Sequence, residues 1–429
     1  MMYAERGSVR DDISPSELAI LVRQSLKALG GASRVIAVPP DITRVHSQAG
    51  AITDIAYREL GPRLGAVLPA LGTHAPMSGE ELDSMYPGTP KSLFKVHDWR
   101  KDPVELDRIP AAFVREAGEG VVDYDYPVQA NKMLTDGSFD AIISIGQVVP
   151  HEVIGLANHA KNIFVGTGGK EAIDKSHFLG AAYGMERMMG RAETPVRKIF
   201  NKALELAGPK LPPILWILTV MQRDESGRLV MRGFYAGDDL ECFEKAASLS
   251  RLVNIDMLEE PIRKAVVWLD PMEFRSTWLG NKAVYRTRMA MADGGELIIL
   301  APGLVHFGED EGIDALIRRY GYRPSARIRQ LVLEHEDLGA NLSAAAHLIH
   351  GSSEGRFTVT YAPGPGVSRS EIESVGYSYA MLDEMLDRYP VDKLAQGWNT
   401  LPGGERIFYV PNPALGLWTT RERFEYGIR

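Results

Sequence analysis

Short apolar runs alternate along the chain with longer amphipathic stretches, the pattern of strands interleaved with helices. Ser14-Pro15 followed by Glu17, Leu18, Leu21, Val22 and Leu26 predicts an N-capped helix, closed by Gly30-Gly31. Arg34 to Val38 predicts a buried strand ending at Pro39-Pro40, and a helix is expected from Gln48 to Leu60. Ala66 to Leu71 reads as the next strand, weakened by Pro69. Further strands are expected at Ala141 to Ile145, Ile214 to Val220, Ala265 to Leu269, Leu297 to Ala301, Phe357 to Tyr361 and Ile407 to Val410. Helical patterns cover Leu240 to Leu258, Asn281 to Met291 and Ala326 to Leu338. This alternation predicts an α/β fold with mostly parallel sheets. The domains are placed at 1–260 and 261–405, because Pro261 to Lys264 follows a long helix and precedes a fresh strand. The segment 406–429 is expected to pack back on the first domain.

The 429 residues, 45% hydrophobic and 24% charged, can build two large cores without staples. A formal net charge of -8 argues against a nucleic-acid partner but leaves room for an anionic small substrate, which needs only a local basic pocket. The single cysteine, Cys242, excludes an intrachain disulfide and a multi-cysteine zinc site. Met1 to Ser14 carries Glu5, Arg6, Arg10, Asp11 and Asp12 and has no apolar signal core. No apolar run approaches the roughly 20 residues that span a bilayer. The expectation is a cytoplasmic protein with no membrane partner.

Polar residues just after predicted strands carry the candidate chemistry, since ligands of open parallel sheets bind beyond the carboxyl ends of the strands. Asp41-Ile42-Thr43-Arg44 follows the first strand, Gly72-Thr73-His74 the second, and Gly146 to His151 the third. Taken singly, Asp41 and Thr43 are helix caps and each histidine an ordinary loop residue; three such loops together point to a site. The stretch Gly166 to Gly169 has the composition of a phosphate cradle, or of a glycine turn before a helix. It is neither a P-loop nor a dinucleotide fingerprint, because Glu171 stands where those motifs need another residue. In the second half, Lys282 near a helix start opposes the helix dipole, which hints at an anion; an ordinary exposed lysine is the alternative. His46, His97, His159, His306, His335, His347 and His350 show no metal-ligand spacing.

Together these segments resemble the nickel-pincer lactate racemase-like family. The matching residues are Asp41, Thr43 and Arg44; Gly72-Thr73-His74; Pro150-His151, Ala160-Lys161, Gly169-Lys170-Glu171 and His177; and Lys282-Ala283 leading to Gly294-Gly295 and Ile298-Ile299. The resemblance implies two α/β domains with the active site in the cleft between them, and a nickel-pincer nucleotide as cofactor. It implies Lys161 as covalent anchor, His177 as nickel ligand, and His74 and His151 as the acid/base pair. Arg44 and Lys282 would bind the substrate carboxylate, with Trp278 beside them. Asp41, Thr43, Gly72, Gly168 and Gly169 would line the cofactor. The implied activity is inversion of C2 of a 2-hydroxy acid through a 2-keto acid, with cofactor-building enzymes as partners. A sugar-acid (aldonate) 2-epimerase and a non-catalytic binding protein are the alternatives; retention of His74, His151, Lys161 and His177 favours catalysis. Ala75, Asn158, His159 and Leu279 depart from the family pattern, so a substrate larger or more polar than lactate is expected.

Overall fold

The computed structural model describes residues 1–224, 227–414 and 416–426. They form two compact units, one of 1–179 with 189–254 and one of 180–188 with 255–429. Among the described residues no helix is long and apolar enough to cross a membrane.

The first unit is built on a six-stranded sheet. Its order is Met2–Gly7, Leu229–Gly237, Ile214–Arg223, Ala141–Gln147, Val35–Val38 and Leu64–Val67. The last four run parallel, and the first two add an antiparallel edge. Val35–Val38 and Ala141–Gln147 are buried at every residue, as continuous apolar runs should be when helices cover both faces of a sheet. Pro69 does not interrupt a strand; Leu64–Val67 ends before it. The helix Pro15–Leu26 forms as expected. Ser14 and Glu17 make a reciprocal capping box, Pro15 occupies the first turn, and Leu18, Val22 and Leu26 bury one stripe.

The second unit holds another six-stranded sheet, in the order Ser378–Tyr379, Thr358–Pro363, Met291–Ala301, Ile262–Trp268, Arg406–Val410 and Gly397–Thr400. All its pairs are parallel except the last.

Four expectations are corrected. The segment 406–429 packs on the second unit, not the first: Arg406–Val410 lies beside Ile262–Trp268, and Trp418–Thr420 pairs with Asp256–Leu258. That second pairing also draws the boundary back from 260 to 254/255. Residues 180–188 join the second unit, where Glu186 meets the buried Arg288 at 2.7 Å and Met185 sulfur lies 3.4 Å from its guanidinium. The helix expected at Asn281 to Met291 is shorter, Lys282–Thr287, because Met291 opens a strand.

Candidate active site

Four parallel strands of the first unit direct their carboxyl ends the same way, and the loops that follow three of them carry Asp41, His74 and His151. Two contacts tie these loops to the segment of Lys161. Gly72 N–H donates to the Gly166 carbonyl at 2.9 Å, and Asn162 Nδ2 donates to the Val38 carbonyl at 2.8 Å and to Ser144 Oγ at 3.0 Å. Gly72 has φ +57, which its lack of a Cβ makes easy.

Asp41 is buried and caps the helical turn Ile42–Ser47. Its Oδ1 accepts from Thr43 N–H at 3.1 Å and Thr43 hydroxyl at 2.5 Å; its Oδ2 meets His74 Nδ1 at 2.5 Å. Burial works against the charge of Asp41, but the bonds from His74 and Thr43 and the positive charge of Arg44 outweigh it and hold the carboxyl below its ordinary range. A carboxylate only accepts, so His74 carries its proton on Nδ1 and turns a lone pair outward on Nε2. The His74 side chain is 52% exposed, so that lone pair is open to a substrate.

His151 is set the other way. It sits in the small hairpin Pro150–His151 with Gly155–Leu156, is buried, and its Nδ1 accepts from Val153 N–H at 3.1 Å. The neutral ring therefore carries its proton on Nε2. The Glu152 carboxylate lies 3.8 Å from Nδ1, placed to stabilise the ring when protonated.

Lys161 lies in the short helix Ala160–Phe164. Burial, then the charge of Arg44, pushes its amine down to about 8. More of it is neutral near neutral pH than of an ordinary lysine, and the neutral form is the one that attacks an electrophile. His177, in the helix Lys170–Tyr183, gives its Nδ1–H to the Ile173 carbonyl at 2.6 Å. Nε2 is left as the lone pair, the arrangement of a metal-ligating histidine fixed by its other nitrogen. Burial and the Lys161 charge keep this ring neutral. Lys161 and Glu152 act electrostatically on His177, and Arg44 and Asp41 act on Lys161. The structure thus brings Asp41, Arg44, His74, His151, Glu152, Lys161 and His177 into one charged neighbourhood.

Residues 19–188 match the lactate racemase N-terminal domain family. Over those residues the chain is similar to the N-terminal domain of lactate racemases. It superposes on a protein of known crystal structure from Thermotoga maritima with a TM-score of 0.82 and 25% identity, over 96% of this chain and 100% of the other. It also superposes on the lactate racemase apoprotein from Thermoanaerobacterium thermosaccharolyticum with a TM-score of 0.70, over 96% and 94% of the two chains. At 15% identity that second likeness is one of fold. No curated protein matches the chain in sequence.

Several expected roles change. The N–H groups of Gly166, Thr167 and Gly168 are spent on the carbonyls of Lys161, Ile163 and Val165, so they do not cradle a phosphate. A Cβ on Gly168 would come 2.1 Å from the Phe164 carbonyl, and one on Gly169 would come 2.6 Å from Gln129 Oε1. These glycines serve close packing. Asp41 and Thr43 orient His74, and Gly72 joins two loops. Asn158 and His159 do not form a substrate wall: Asn158 Oδ1 accepts from His159 N–H at 2.7 Å, and the His159 ring packs on Trp216. Lys282 and Trp278 belong to the second unit, where Lys282 begins a helix and lies 5.6 Å from the Phe274 ring centre, and Trp278 stacks on His347 at 4.4 Å.

Two contributors escaped the sequence reading. Glu152, next to His151, reaches three functional groups, and its adjacency to the histidine was the available signal. Arg197 is buried and gives hydrogen bonds to the Leu156 and Asn158 carbonyls at 2.7 and 3.1 Å, which fixes the loop before Lys161. Nothing in its helical pattern marks it.

The residues present fit a nickel-pincer nucleotide. Lys161 is an amine whose pKa burial lowers to about 8, and His177 offers one imidazole lone pair. Among the described residues no group of three or more His, Cys, Asp or Glu forms a metal site, so a metal here would take its other donors from the group that carries it.

Proposed function

We propose that the chain inverts C2 of a 2-hydroxy acid, as a racemase or epimerase. The observation that carries this reading is the pair of histidines held in opposite tautomers, His74 by Asp41 and His151 by Val153 N–H. The C2–H of a 2-hydroxy acid is barely acidic, so passage through a planar 2-keto acid is easier than direct proton abstraction. When bound, a nickel-pincer nucleotide supplies the hydride acceptor and donor for that passage. Lys161 would hold it covalently, and His177 would give nickel a nitrogen ligand.

The chain's own residues handle the proton and the carboxylate. Arg44 clamps the carboxylate, for which its planar fork suits two parallel hydrogen bonds. His74 Nε2 takes the hydroxyl proton of one enantiomer, and Asp41 stabilises the imidazolium that results. His151 presents its Nε2–H to the substrate oxygen. For the opposite enantiomer His151 would be the base in its other tautomer, with Nδ1–H turned to the Glu152 carboxylate and Nε2 free, and each histidine returns to the keto oxygen the proton that it took. Carboxylate, hydroxyl and C2–H are shared by lactate and by aldonates, and these residues serve them alike.

The test is production of the protein alongside the cofactor-building enzymes, followed by intact mass, nickel analysis and chiral assay on lactate, malate, phenyllactate and aldonates. A mass adduct lost in Lys161→Ala, together with interconversion of one enantiomeric pair, is the expected result. An adduct that persists in Lys161→Ala, or a loaded protein inert on every 2-hydroxy acid, would overturn the reading.

A further inference from the structure

A cavity of about 490 Å3 lies in the first unit, apart from the residues just described. Pro212, Pro213 and Ile214 line it at the start of Ile214–Arg223, and Asp238, Asp239 and Leu240 line it after Leu229–Gly237. Because Ile214 pairs in parallel with Ile142, this is the amino end of the parallel strands, opposite to the loops of His74 and His151. His159, Trp216 and Asn201 complete the polar and aromatic part of the wall.

Three buried atoms of this wall lack a well-formed hydrogen bond: Nδ1 and Nε2 of His159 and Oδ1 of Asn201. His159 is only 2% exposed. The Asp239 backbone lies close enough to influence its ring. The imidazole is stacked against the Trp216 indole, with centroids 4.1 Å apart, and Phe243 flanks it at 5.7 Å. The backbone under it is unusual. Asn158 has φ +71, and His159 combines φ 56 with ψ -133, a conformation that suits glycine. A buried histidine kept at such a place, with no bond beyond a poorly formed one to the Asp239 backbone, has a ring nitrogen to spare for a ligand.

We propose that this cavity is a second ligand site, which takes a planar nitrogen heterocycle bearing N–H donors, of the amino-purine or amino-pyrimidine kind. The flat aromatic wall suits a planar ring. Asn201 Oδ1 wants a donor, and neutral His159 keeps an acceptor nitrogen, together the complement of amino and ring N–H groups. Asp238 and Asp239 pair with the Met1 amino group, and Asp238 also with the Tyr3 hydroxyl; two carboxylates against one ammonium leave the rim negative. That rim rejects carboxylates, so the ligand is of a different class from a 2-hydroxy acid. The volume falls in the range of small-molecule sites, and the remaining lining is apolar. The ligand would touch the same segment that carries Lys161.

Adenine is the probe, added to the full chain and followed by isothermal titration calorimetry, with benzoate and lactate as anionic controls. Saturable one-to-one binding of adenine is expected. His159→Gly should fold well, since glycine suits the backbone there, and should weaken adenine about tenfold, the effect of one or two lost hydrogen bonds. Asn201→Leu should weaken it comparably, whereas Lys161→Ala should leave it unchanged. Absence of adenine binding to the wild type, wild-type affinity in His159→Gly and Asn201→Leu, or displacement of adenine by benzoate or lactate would overturn the proposal.

Discussion

The Asp41 carboxylate meets Nδ1 of His74 at 2.5 Å and thereby decides which nitrogen of the ring is basic. Asp41→Asn keeps the shape but allows the amide to donate to the ring, which favours the wrong tautomer. Turnover in both directions should fall by about 100- to 10,000-fold, the range of general acid–base contributions. The check is chiral kinetics on loaded protein beside circular dichroism. A variant within a few-fold of wild type would remove Asp41 from this role.

His177 donates Nδ1–H to the Ile173 carbonyl and keeps Nε2 for a metal. His177→Ala should lower nickel per chain in protein produced with the cofactor-building enzymes. The Lys161 mass adduct should persist, because the anchor is a separate residue. Unchanged nickel content would assign the ligand elsewhere.

Arg197 satisfies the carbonyls of Leu156 and Asn158 from a fully buried position, and burial pushes it down to about 9. Arg197→Met leaves both carbonyls without that donor, at about 1–3 kcal/mol each. Faster amide exchange over 156–162 than elsewhere in the first unit is the expected signature. Exchange that rises evenly across the unit would mean general loosening instead.

The Glu186–Arg288 pair, 2.7 Å apart and largely buried, gives an acid-sensitive term to the second unit. Burial raises the Glu186 carboxyl, but Arg288 and the hydrogen bonds prevail and hold it below its ordinary value. Its folded pKa is thus depressed, so its contribution is present above the unfolded value of about 4.3 and is lost as pH falls through the folded one. Arg288→Met should cost about 3–5 kcal/mol at pH 7. Urea titrations should show the gap between variant and wild type narrowing toward pH 3. A gap that stays constant would show that the pair does not control this dependence.

Much of the catalytic layout was legible in the sequence because apolar runs end abruptly at polar loops. Val38 before Asp41 and Ile145 before His151 placed those residues at carboxyl ends of strands, and the structure agrees. Lys161 and His177 stood out through the family resemblance, since neither a lysine in a short helix nor a histidine on a long one is distinctive alone. The edge strands were not legible. Met2–Gly7 buries only Ala4 fully, and Leu229–Gly237 contains Arg232 and a bulge between Met231 and Gly233 that breaks its alternation. His159 was misplaced for a related reason. Sequence put it beside Lys161, but adjacent residues on a tight left-handed bend point in different directions.

The second unit's sheet has consequences for how the chain is born on the ribosome. Arg406–Val410 stands between Ile262–Trp268 and Gly397–Thr400, so that sheet stays split until those late residues leave the exit tunnel. The first unit waits less. Its latest strand, Leu229–Gly237, emerges while more than a hundred residues of the second are still to be translated. Synthesis therefore delivers the segment with Lys161 on a nearly finished scaffold, well before the half that holds Lys282 can take shape.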